Sequence, residues 1–336
     1  MRLTWAGVRV SILRTALTVV TTVAGVSGCH VLGVGASGVG NGSASITVAV
    51  APGIDNAPLQ VGVQDGLFQQ HGVKVTVKPY QSISAELQAL TSGQAQIAVG
   101  DYTDFFYAQA SGHVSLRLIA DAYDAAASSV AILALPHSHI TTPQDLAGHS
   151  VATPPVQNIP YSPAVPYNIQ TLAADEVLQN DGVSPSSVTW TPTQGPNMLS
   201  ALQSRQVQAI LVSEPYILQA EEQLGAVEVV DASSGVTSAL PLSGYFSLAS
   251  YAGANPSAVQ AFQAALDQAQ ADCAQRGPVQ SVLSQLTGMN ASDASLVTLG
   301  TYPTSLNVGQ VQRVATLMYD SGMISNQINV SALTSG

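Results

Sequence analysis

The chain has 336 residues and a formal net charge of −11, and only 9% of its residues are charged while 46% are hydrophobic. The apolar content is ample for buried cores, and the length allows two lobes. Because so acidic a chain is repelled by phosphate backbones, we expect no nucleic-acid partner.

The first 28 residues have the order of a secretory signal. Arg2, Arg9 and Arg14 precede or flank a short apolar run, no acidic residue is present, and Ser27-Gly28 stands directly before Cys29. The apolar run is too short for a membrane-spanning helix, which needs about 20 residues. The segment resembles a bacterial lipobox, with a plain signal peptide as the alternative. We expect a lipoprotein signal peptide over 1–28, a lipidated Cys29, and anchoring at the extracytoplasmic face of the cell membrane.

Residues 29–45 are rich in glycine and serine and are predicted to be a flexible tether. Gly33, Gly35 and Gly38 match the dinucleotide-binding fingerprint, but that fingerprint needs a strand before it and a helix after it. The tether supplies neither, so we expect no cofactor. Three of the nine basic residues lie in 1–28, which leaves six against twenty acidic residues and a net charge of −14.

Strand-like and helix-like segments then alternate along the chain. The predicted strands are 46–50, 73–78, 95–99, 116–120, 130–135, 150–153, 188–190 and 207–212. The predicted helices start at Ser84, Thr142, 164, 197 and Asn255, the last ending at Gly277, and the remainder is helical. The alternation predicts an α/β fold of mostly parallel sheets with helices on both faces, and the restart of the pattern near 129 predicts two such sheets.

Four runs in this order resemble the nitrate/sulfonate/taurine and thiamine-precursor solute-binding family over about 46–320. They are Asp65-Gly66-Leu67-Phe68, 90–98, 140–148, and Ala201-Leu202 leading to Glu214-Pro215-Tyr216. The resemblance implies the two-lobed type-2 periplasmic binding protein fold. Lobe one would be 46–128 with 245–336, lobe two would be 129–235, and hinge segments near 125–130 and 235–246 would join them.

The resemblance also implies a role as the substrate-binding component of an ABC importer. The partners would be a small solute, a permease and its ATPase, and we expect a monomer. Ligands of open α/β sheets bind beyond the carboxyl ends of the strands, so the polar and aromatic residues that follow the predicted strands are the candidates for ligand binding. They are Asp55, Asn56, Asp101, Tyr102, Thr103, Tyr161, Ser162, Tyr167, Glu214 and Tyr216. Helix capping for the short polar residues and ordinary packing for the tyrosines remain open.

No lysine or arginine occurs in these loops, whereas Asp55, Asp101 and Glu214 are acidic. We therefore favour a neutral or cationic aromatic solute such as a pyrimidine precursor of thiamine. A sulfonate or nitrate held by backbone amides alone is the alternative. The second-lobe loop carries Pro154-Pro155 where many relatives have a Gly-Ser pair that helps to bind an anion.

Other functional classes find less support in the sequence. His137 and His139 are half of a metal site without recognisable further ligands, so no metal is expected. Hydrolase and phosphate-loop motifs do not occur. A pyrimidine-synthase-like enzyme would need a cysteine-rich motif and a pyridoxal lysine, but Cys273 stands alone and only Lys74 and Lys78 are available. We expect a receptor rather than an enzyme, with a non-transport lipoprotein scaffold as a further alternative.

Overall fold

The predicted alternation of strands and helices is present in the computed structural model, which describes residues 44–155 and 168–334. These residues belong to one compact unit that begins at Gly42. The predicted signal peptide, Cys29 and nearly all of the tether lie outside the described residues, as do Tyr161, Ser162 and Tyr167.

The strands of the described residues are short and regularly spaced. In chain order they are β1 (Ala44–Val50), β2 (Val73–Pro79), β3 (Ile97–Asp101), β4 (Leu116–Asp124), β5 (Val130–Ala134), β6 (Ser150–Thr153), β7 (Thr189–Pro192), β8 (Ala209–Ser213), β9 (Val227–Asp231) and β10 (Pro241–Leu248).

Helices fill the intervals between the strands and form the C-terminal part of the chain. They are α1 (Ala57–Gln64), α2 (Leu67–Gln70), α3 (Ile83–Thr91), α4 (Tyr102–Ala110), α5 (Ile169–Asn180), α6 (Gly195–Gln203), α7 (Tyr216–Leu224), α8 (Ala249–Ala254), α9 (Pro256–Asp272), α10 (Arg276–Thr287), α11 (Ala291–Leu296), α12 (Val308–Asp320) and α13 (Val330–Thr334), with short 3-10 turns at Ile54–Asn56, Pro143–Leu146, Pro185–Ser187 and Gly235–Thr237. Within the part of the chain that the structure describes, no helix combines the length and apolar character needed to cross a bilayer.

The strands form two five-stranded sheets, in the orders β2-β1-β3-β10-β4 and β7-β6-β8-β5-β9. In each sheet a single strand is antiparallel to the other four. That strand is β10 in the first sheet and β5 in the second. The fold is therefore two-lobed α/β with mostly parallel sheets, as predicted.

Helices cover both faces of each sheet, because alternate residues of the central strands are buried on opposite sides. On the first sheet, Ile46 and Val48 pack with Phe262 of α9, whereas Ala49 belongs to the cluster on the other face with Phe246. The second sheet follows the same pattern, with α6 and α7 on one face and α5 on the other.

The chain passes from the first sheet to the second through 125–129 and returns through 232–240, and these two crossings lie side by side. The Ala125 amide donates to the Leu240 carbonyl at 2.9 Å, and the Val130 amide donates to Ser233 Oγ at 2.8 Å. The Ala232 amide donates in turn to the Val130 carbonyl at 2.9 Å. Each crossing therefore leads directly into the strand that is antiparallel to the others of its sheet.

Some predicted boundaries are wrong. Residues 241–246, assigned to the second crossing, begin strand β10 at the centre of the first sheet. The helix predicted to run to Gly277 ends at Asp272, and α10 begins at Arg276, because Gln275 adopts an extended backbone and Pro278 then fits the first turn of a new helix. The helix predicted from Ser84 begins at Ile83, where the Ser82 hydroxyl caps it by accepting from the Ala85 amide.

Gly244 in β10 allows the side chain of Tyr102 in α4 to approach the first sheet closely. A Cβ atom at this position would stand 2.9 Å from the Tyr102 ring, which is closer than packed carbon atoms approach. Tyr102 is fully buried, contacts Phe246 edge-on, and donates from its hydroxyl to Asp121 at 2.9 Å. The glycine therefore fixes the spacing between α4 and the central strand.

We predict that Gly244→Ala lowers the free energy of unfolding by about 1–3 kcal/mol, since an added methyl group in a filled core forces neighbouring groups apart. Gly253→Ala is the matched control, because Gly253 lies exposed in α8 and its Cβ would meet nothing within 4 Å. Urea unfolding followed by circular dichroism measures both. Equal midpoints for the two variants would contradict this account of the packing.

Candidate functional site

A cavity of about 510 Å³ lies between the two sheets, where the carboxyl ends of their parallel strands meet. The first sheet contributes Ala51 after β1, Asp101 at the end of β3 and Ser243 at the start of β10. The second contributes Pro154 after β6 and Ser213 at the end of β8. The antiparallel strands enter at this edge, so their first residues also lie in the wall.

The cavity is acidic. Of the described residues that line it, five carry carboxyl groups and none is a lysine, arginine or histidine. Four of the acids belong to the wall formed by the first sheet and its helices, and one to the wall of the second sheet. They are Asp55, Glu86, Asp101 and Asp104 on the first wall and Glu214 on the second.

Glu86 of α3 is the most constrained of these groups. The residue is 1% exposed, and its Oε1 has no hydrogen-bond partner among the described residues. Burial raises the pKa of Glu86 to about 9, and repulsion from Asp55, Asp104 and Asp101 adds to the rise. The negative charge of an ionised Glu86 is therefore unfavourable unless a positively charged group lies beside it.

Burial also raises the pKa values of the neighbouring carboxyl groups. Burial, followed by repulsion from Asp104 and Asp55, raises the pKa of Asp101 well above its ordinary value. Burial alone raises the pKa of Asp104 to about 7. Burial also raises the pKa of Asp55, and the nearby Ser243 hydroxyl opposes that rise only in part. The first wall is thus a cluster of buried acids, in which burial disfavours the charge of each carboxyl and the charges repel one another.

Ser243 and Tyr123 add neutral polar groups to the first wall. Ser243 is 2% exposed, and although it lies near Asp55 its Oγ makes no hydrogen bond of ordinary geometry. The Tyr123 hydroxyl accepts from the Gly300 amide, and its ring packs against Tyr302 with centroids 5.2 Å apart. The aromatic ring of Tyr123 is therefore fixed in position at the cavity wall.

The second wall is built on the start of α5. Asn168 caps that helix, since its Oδ1 accepts from the amides of Gln170 and Thr171 at 2.9 Å each. Its Nδ2 donates to the Pro154 carbonyl at 2.8 Å, which ties the end of β6 to the helix. Gln170 is held by a hydrogen bond from its Nε2 to Ser213 Oγ at 3.2 Å. Apart from Glu214, this wall offers amide and hydroxyl groups rather than charge.

Glu214 joins the two sides of the cavity. Its Oε1 accepts from the Thr298 amide at 2.8 Å, and its Oε2 accepts from the Leu218 amide at 3.1 Å. Thr298 lies close to Thr301, which pairs with Asp124 at the end of β4 in the first sheet. Burial raises the pKa of Glu214, while the two amides oppose the rise. The carboxylate therefore already has partners within the protein on both of its oxygens.

The structure brings together some of the residues predicted from strand ends. Asp55, Asp101, Glu214 and Tyr216 line the cavity. Three others lie outside the lining because they are turned into the first lobe: Asn56 donates to the Ala51 carbonyl, Tyr102 lies in the core beneath Gly244, and Thr103 is 2% exposed. Tyr161, Ser162 and Tyr167 lie outside the described residues and stay predictions.

Sequence reasoning missed Glu86, Asp104, Tyr123, Asn168 and Ser243. Glu86 and Asp104 stand in the first turns of α3 and α4, where an acidic residue has an ordinary explanation as a favourable partner of the helix dipole. The spacing Asp101-x-x-Asp104 was the available signal, since positions three apart on a helix start lie on one side.

Within the described residues, no group of three or more histidine, cysteine, aspartate and glutamate side chains is placed to hold a metal ion. The acids of the first wall are therefore spread along the cavity wall and do not converge on a single metal position.

Comparison with protein families identifies the chain's family. Residues 54–281, more than half of the chain, match the family described as NMT1/THI5 like. The chain belongs to the NMT1/THI5-like family. A search of curated protein sequences finds no significant match.

Solved structures share the fold at low sequence identity. The alkanesulfonate-binding protein SsuA from Xanthomonas axonopodis pv. citri, bound to MOPS, is 19% identical with a TM-score of 0.68, over 87% of this chain and 98% of that one. The ligand-binding component of an ABC-type import system from Staphylococcus aureus, with zinc bound, is 12% identical with a TM-score of 0.71, over 87% and 96%. The desulfurization enzyme DSZB is 14% identical with a TM-score of 0.67, over 87% and 96%.

We predict that Glu214→Gln lowers the free energy of unfolding by about 1 kcal/mol, because a carboxamide has one acceptor oxygen where two backbone amides need acceptors. Glu222→Gln, at an exposed position of the neighbouring α7, should change stability little. Differential scanning calorimetry of both variants makes the comparison. A melting temperature as low for Glu222→Gln as for Glu214→Gln would argue against a specific role for the Glu214 contacts.

Proposed function

We propose that the chain is the extracytoplasmic solute-binding component of an ABC importer, which captures a small molecule between its two lobes and closes around it. The observation that carries this proposal is the cavity of about 510 Å³, a volume typical of sites for small molecules, lined from the carboxyl edges of both sheets. A solute that touches both walls stabilises the closed arrangement.

The related structures support this role. Two of them are named as a sulfonate-binding protein and as the ligand-binding component of an importer. On this proposal the two lobes are 46–124 with 241–334 and 130–231, and the paired crossings 125–129 and 232–240 are the hinge. The partners are a membrane permease and its ATPase, and Cys29 carries the lipid that anchors a monomeric receptor to the membrane.

An enzymatic role has weaker support, although DSZB shows that an enzyme can have this fold. The described residues that line the cavity include no cysteine and no lysine. Cys273 is buried at the end of α9, and burial raises the pKa of its thiol to about 12, so that the reactive thiolate is disfavoured. Lys74 and Lys78 lie on β2, at the edge of the first sheet. These placements favour a receptor.

For the solute, we favour a neutral or cationic aromatic molecule such as a pyrimidine precursor of thiamine. The five carboxyl groups of the cavity would repel a sulfonate or nitrate wherever they are ionised, and no described cation of the lining offsets them. Tyr123 and Tyr216 provide rings against which a planar molecule can stack. An anion held by backbone amides is the second candidate, supported by the names of the structural relatives.

The receptor role predicts that the protein retains its solute and closes on it. Native mass spectrometry of protein purified without refolding should show one added small-molecule mass. Small-angle X-ray scattering should then show a smaller radius of gyration with this solute than after its removal by partial unfolding and refolding. A scattering curve that is the same in both states, with no bound mass, would instead indicate a scaffold.

The solute class predicts an order of ligands in a thermal-shift panel. A 4-aminopyrimidine should raise the melting temperature, because binding to the folded state adds about 2.7 kcal/mol at a hundredfold excess over the dissociation constant. MOPS, taurine and nitrate at the same concentrations should not. Stabilisation by the sulfonates and not by the pyrimidine would reverse the assignment and leave the receptor role intact.

A further inference from the structure

We propose that the four acids of the first wall form a cation-binding subsite centred on Glu86, which takes an ammonium or amidinium group of an organic solute in exchange for protons. This inference rests on the proposed function and narrows its solute from neutral or cationic to cationic. It assigns the main part in charge selection to Glu86 and Asp104, neither of which the strand-end pattern identifies.

The position of Glu86 is the first argument. Its side chain is 1% exposed and lines the cavity, yet Oε1 accepts no hydrogen bond from the described residues. A buried carboxylate oxygen without a donor costs free energy that folded proteins generally avoid. A ligand with several N–H donors and a positive charge would supply the missing hydrogen bond and also neutralise the buried negative charge.

Ser243 gives a second and independent argument. It comes from β10 rather than from the acidic helices, is 2% exposed, and also has a hydroxyl without an ordinary hydrogen bond at the cavity wall. Glu86 Oε1 and Ser243 Oγ, from different elements, thus both lack a hydrogen bond of ordinary geometry on the same wall, although the Ser243 hydroxyl lies near enough to Asp55 to oppose the rise in its pKa. A hydroxyl beside carboxylates can accept a further N–H, so the wall suits a group with several donors.

The size of the cavity favours an organic cation. A volume of about 510 Å³ holds a ring with substituents. The Tyr123 ring, fixed by the Gly300 amide, lies in the same wall and can pack against the body of such a molecule.

The charged and titratable groups around Glu86 explain why binding should be coupled to protons. Asp55 faces it from the turn after β1, Asp101 from the end of β3, and Asp104 from α4. Tyr123 of the same wall and Glu214 and Tyr216 of the second wall complete the titratable lining among the described residues. Because burial raises the pKa of Glu86 to about 9 and that of Asp104 to about 7, the empty site holds protons near neutral pH. A bound cation displaces them into solvent.

Three probes that share one ring separate charge from shape: benzamidinium, benzamide and benzoate. We expect benzamidinium at millimolar concentration to raise the melting temperature, benzamide to raise it less, and benzoate to leave it unchanged. Zinc chloride and calcium chloride, added alone, should also leave it unchanged. Isothermal titration calorimetry then gives the dissociation constants for the probes that bind.

Glu86→Gln removes the charge while keeping the size of the side chain. It should weaken benzamidinium binding about tenfold or more and leave benzamide unaffected, since the loss concerns a buried charge pair. Glu228→Gln, an exposed position on β9, is the matched control and should change neither constant. The melting temperature of unliganded Glu86→Gln should not fall, because Oε1 has no partner and the carboxamide oxygen can still accept from the Ala51 backbone. Asp104→Asn provides a second variant with the same expected pattern.

Proton exchange gives a signature that a structural role for Glu86 would not produce. In two buffers of different ionisation enthalpy, benzamidinium binding at pH 7 should release protons and benzamide binding should not. The dissociation constant for benzamidinium should rise as the pH falls from 9 to 6, since protons then compete for the acids. In Glu86→Gln this dependence should be shallower.

The outcomes separate the inference from the proposed function. Equal or stronger stabilisation by benzamide or benzoate, stabilisation by a metal salt alone, or an unchanged benzamidinium constant in both Glu86→Gln and Asp104→Asn overturns the cation subsite. A retained neutral or anionic solute in native mass spectrometry overturns it as well, while it upholds the receptor. Failure of the receptor shows itself differently, as a protein without bound solute whose scattering is the same under all conditions.

Discussion

The structure depends on the way the chain crosses between its sheets. Each crossing delivers one strand that runs against its neighbours, β5 into the second sheet and β10 into the first, and the two crossings are joined by the Val130 and Ser233 hydrogen bonds. Because an antiparallel strand begins at the edge where parallel strands end, this connection places the carboxyl edges of both sheets at the same side of the molecule. The cavity is a consequence of that connectivity rather than of any single loop.

The acids of the first wall, unlike Glu214 with its two amide partners, do not contribute to holding the fold together. The apolar faces of the two sheets and their helices supply the burial that stabilises a domain of this size. Glu86, Asp101 and Asp104 oppose that stabilisation, since each lies in a site that disfavours its charge and that of its neighbours. Groups that cost stability and persist at a cavity are typical of binding sites, where the ligand supplies the missing interaction.

The sequence allowed much of the fold to be predicted, because the strands from β1 to β8 are short apolar runs, many of them β-branched and most separated by helix or turn signals, whereas β9 was not predicted. Strand β10 was missed since Pro241, Ser243 and Gly244 interrupt its apolar pattern, and burial on both faces removes the alternation that identifies a strand. Among the site residues, Asp55, Asp101 and Glu214 could be predicted because they lie at the end of a strand or within a few residues after it. From the sequence, Tyr102 could not be excluded as a ligand-binding residue, since only its close approach to Gly244 shows that its ring turns into the core.

The two walls of the cavity have different chemistry, and this gives them different tasks in the proposed binding. Glu86 and its neighbours gather four carboxyl groups on the first wall, so a cation that displaces their protons finds its strongest attraction there. The second wall offers amides and the Tyr216 ring, and its one carboxylate, Glu214, is bonded to the Thr298 amide. That hydrogen bond joins the β8 turn to a segment paired with the first sheet. On the proposed function, Glu214 would favour closure whatever the solute, while Glu86 and its neighbours would select the solute by charge, so that a change in one carboxylate could alter which molecule binds without altering how the lobes meet.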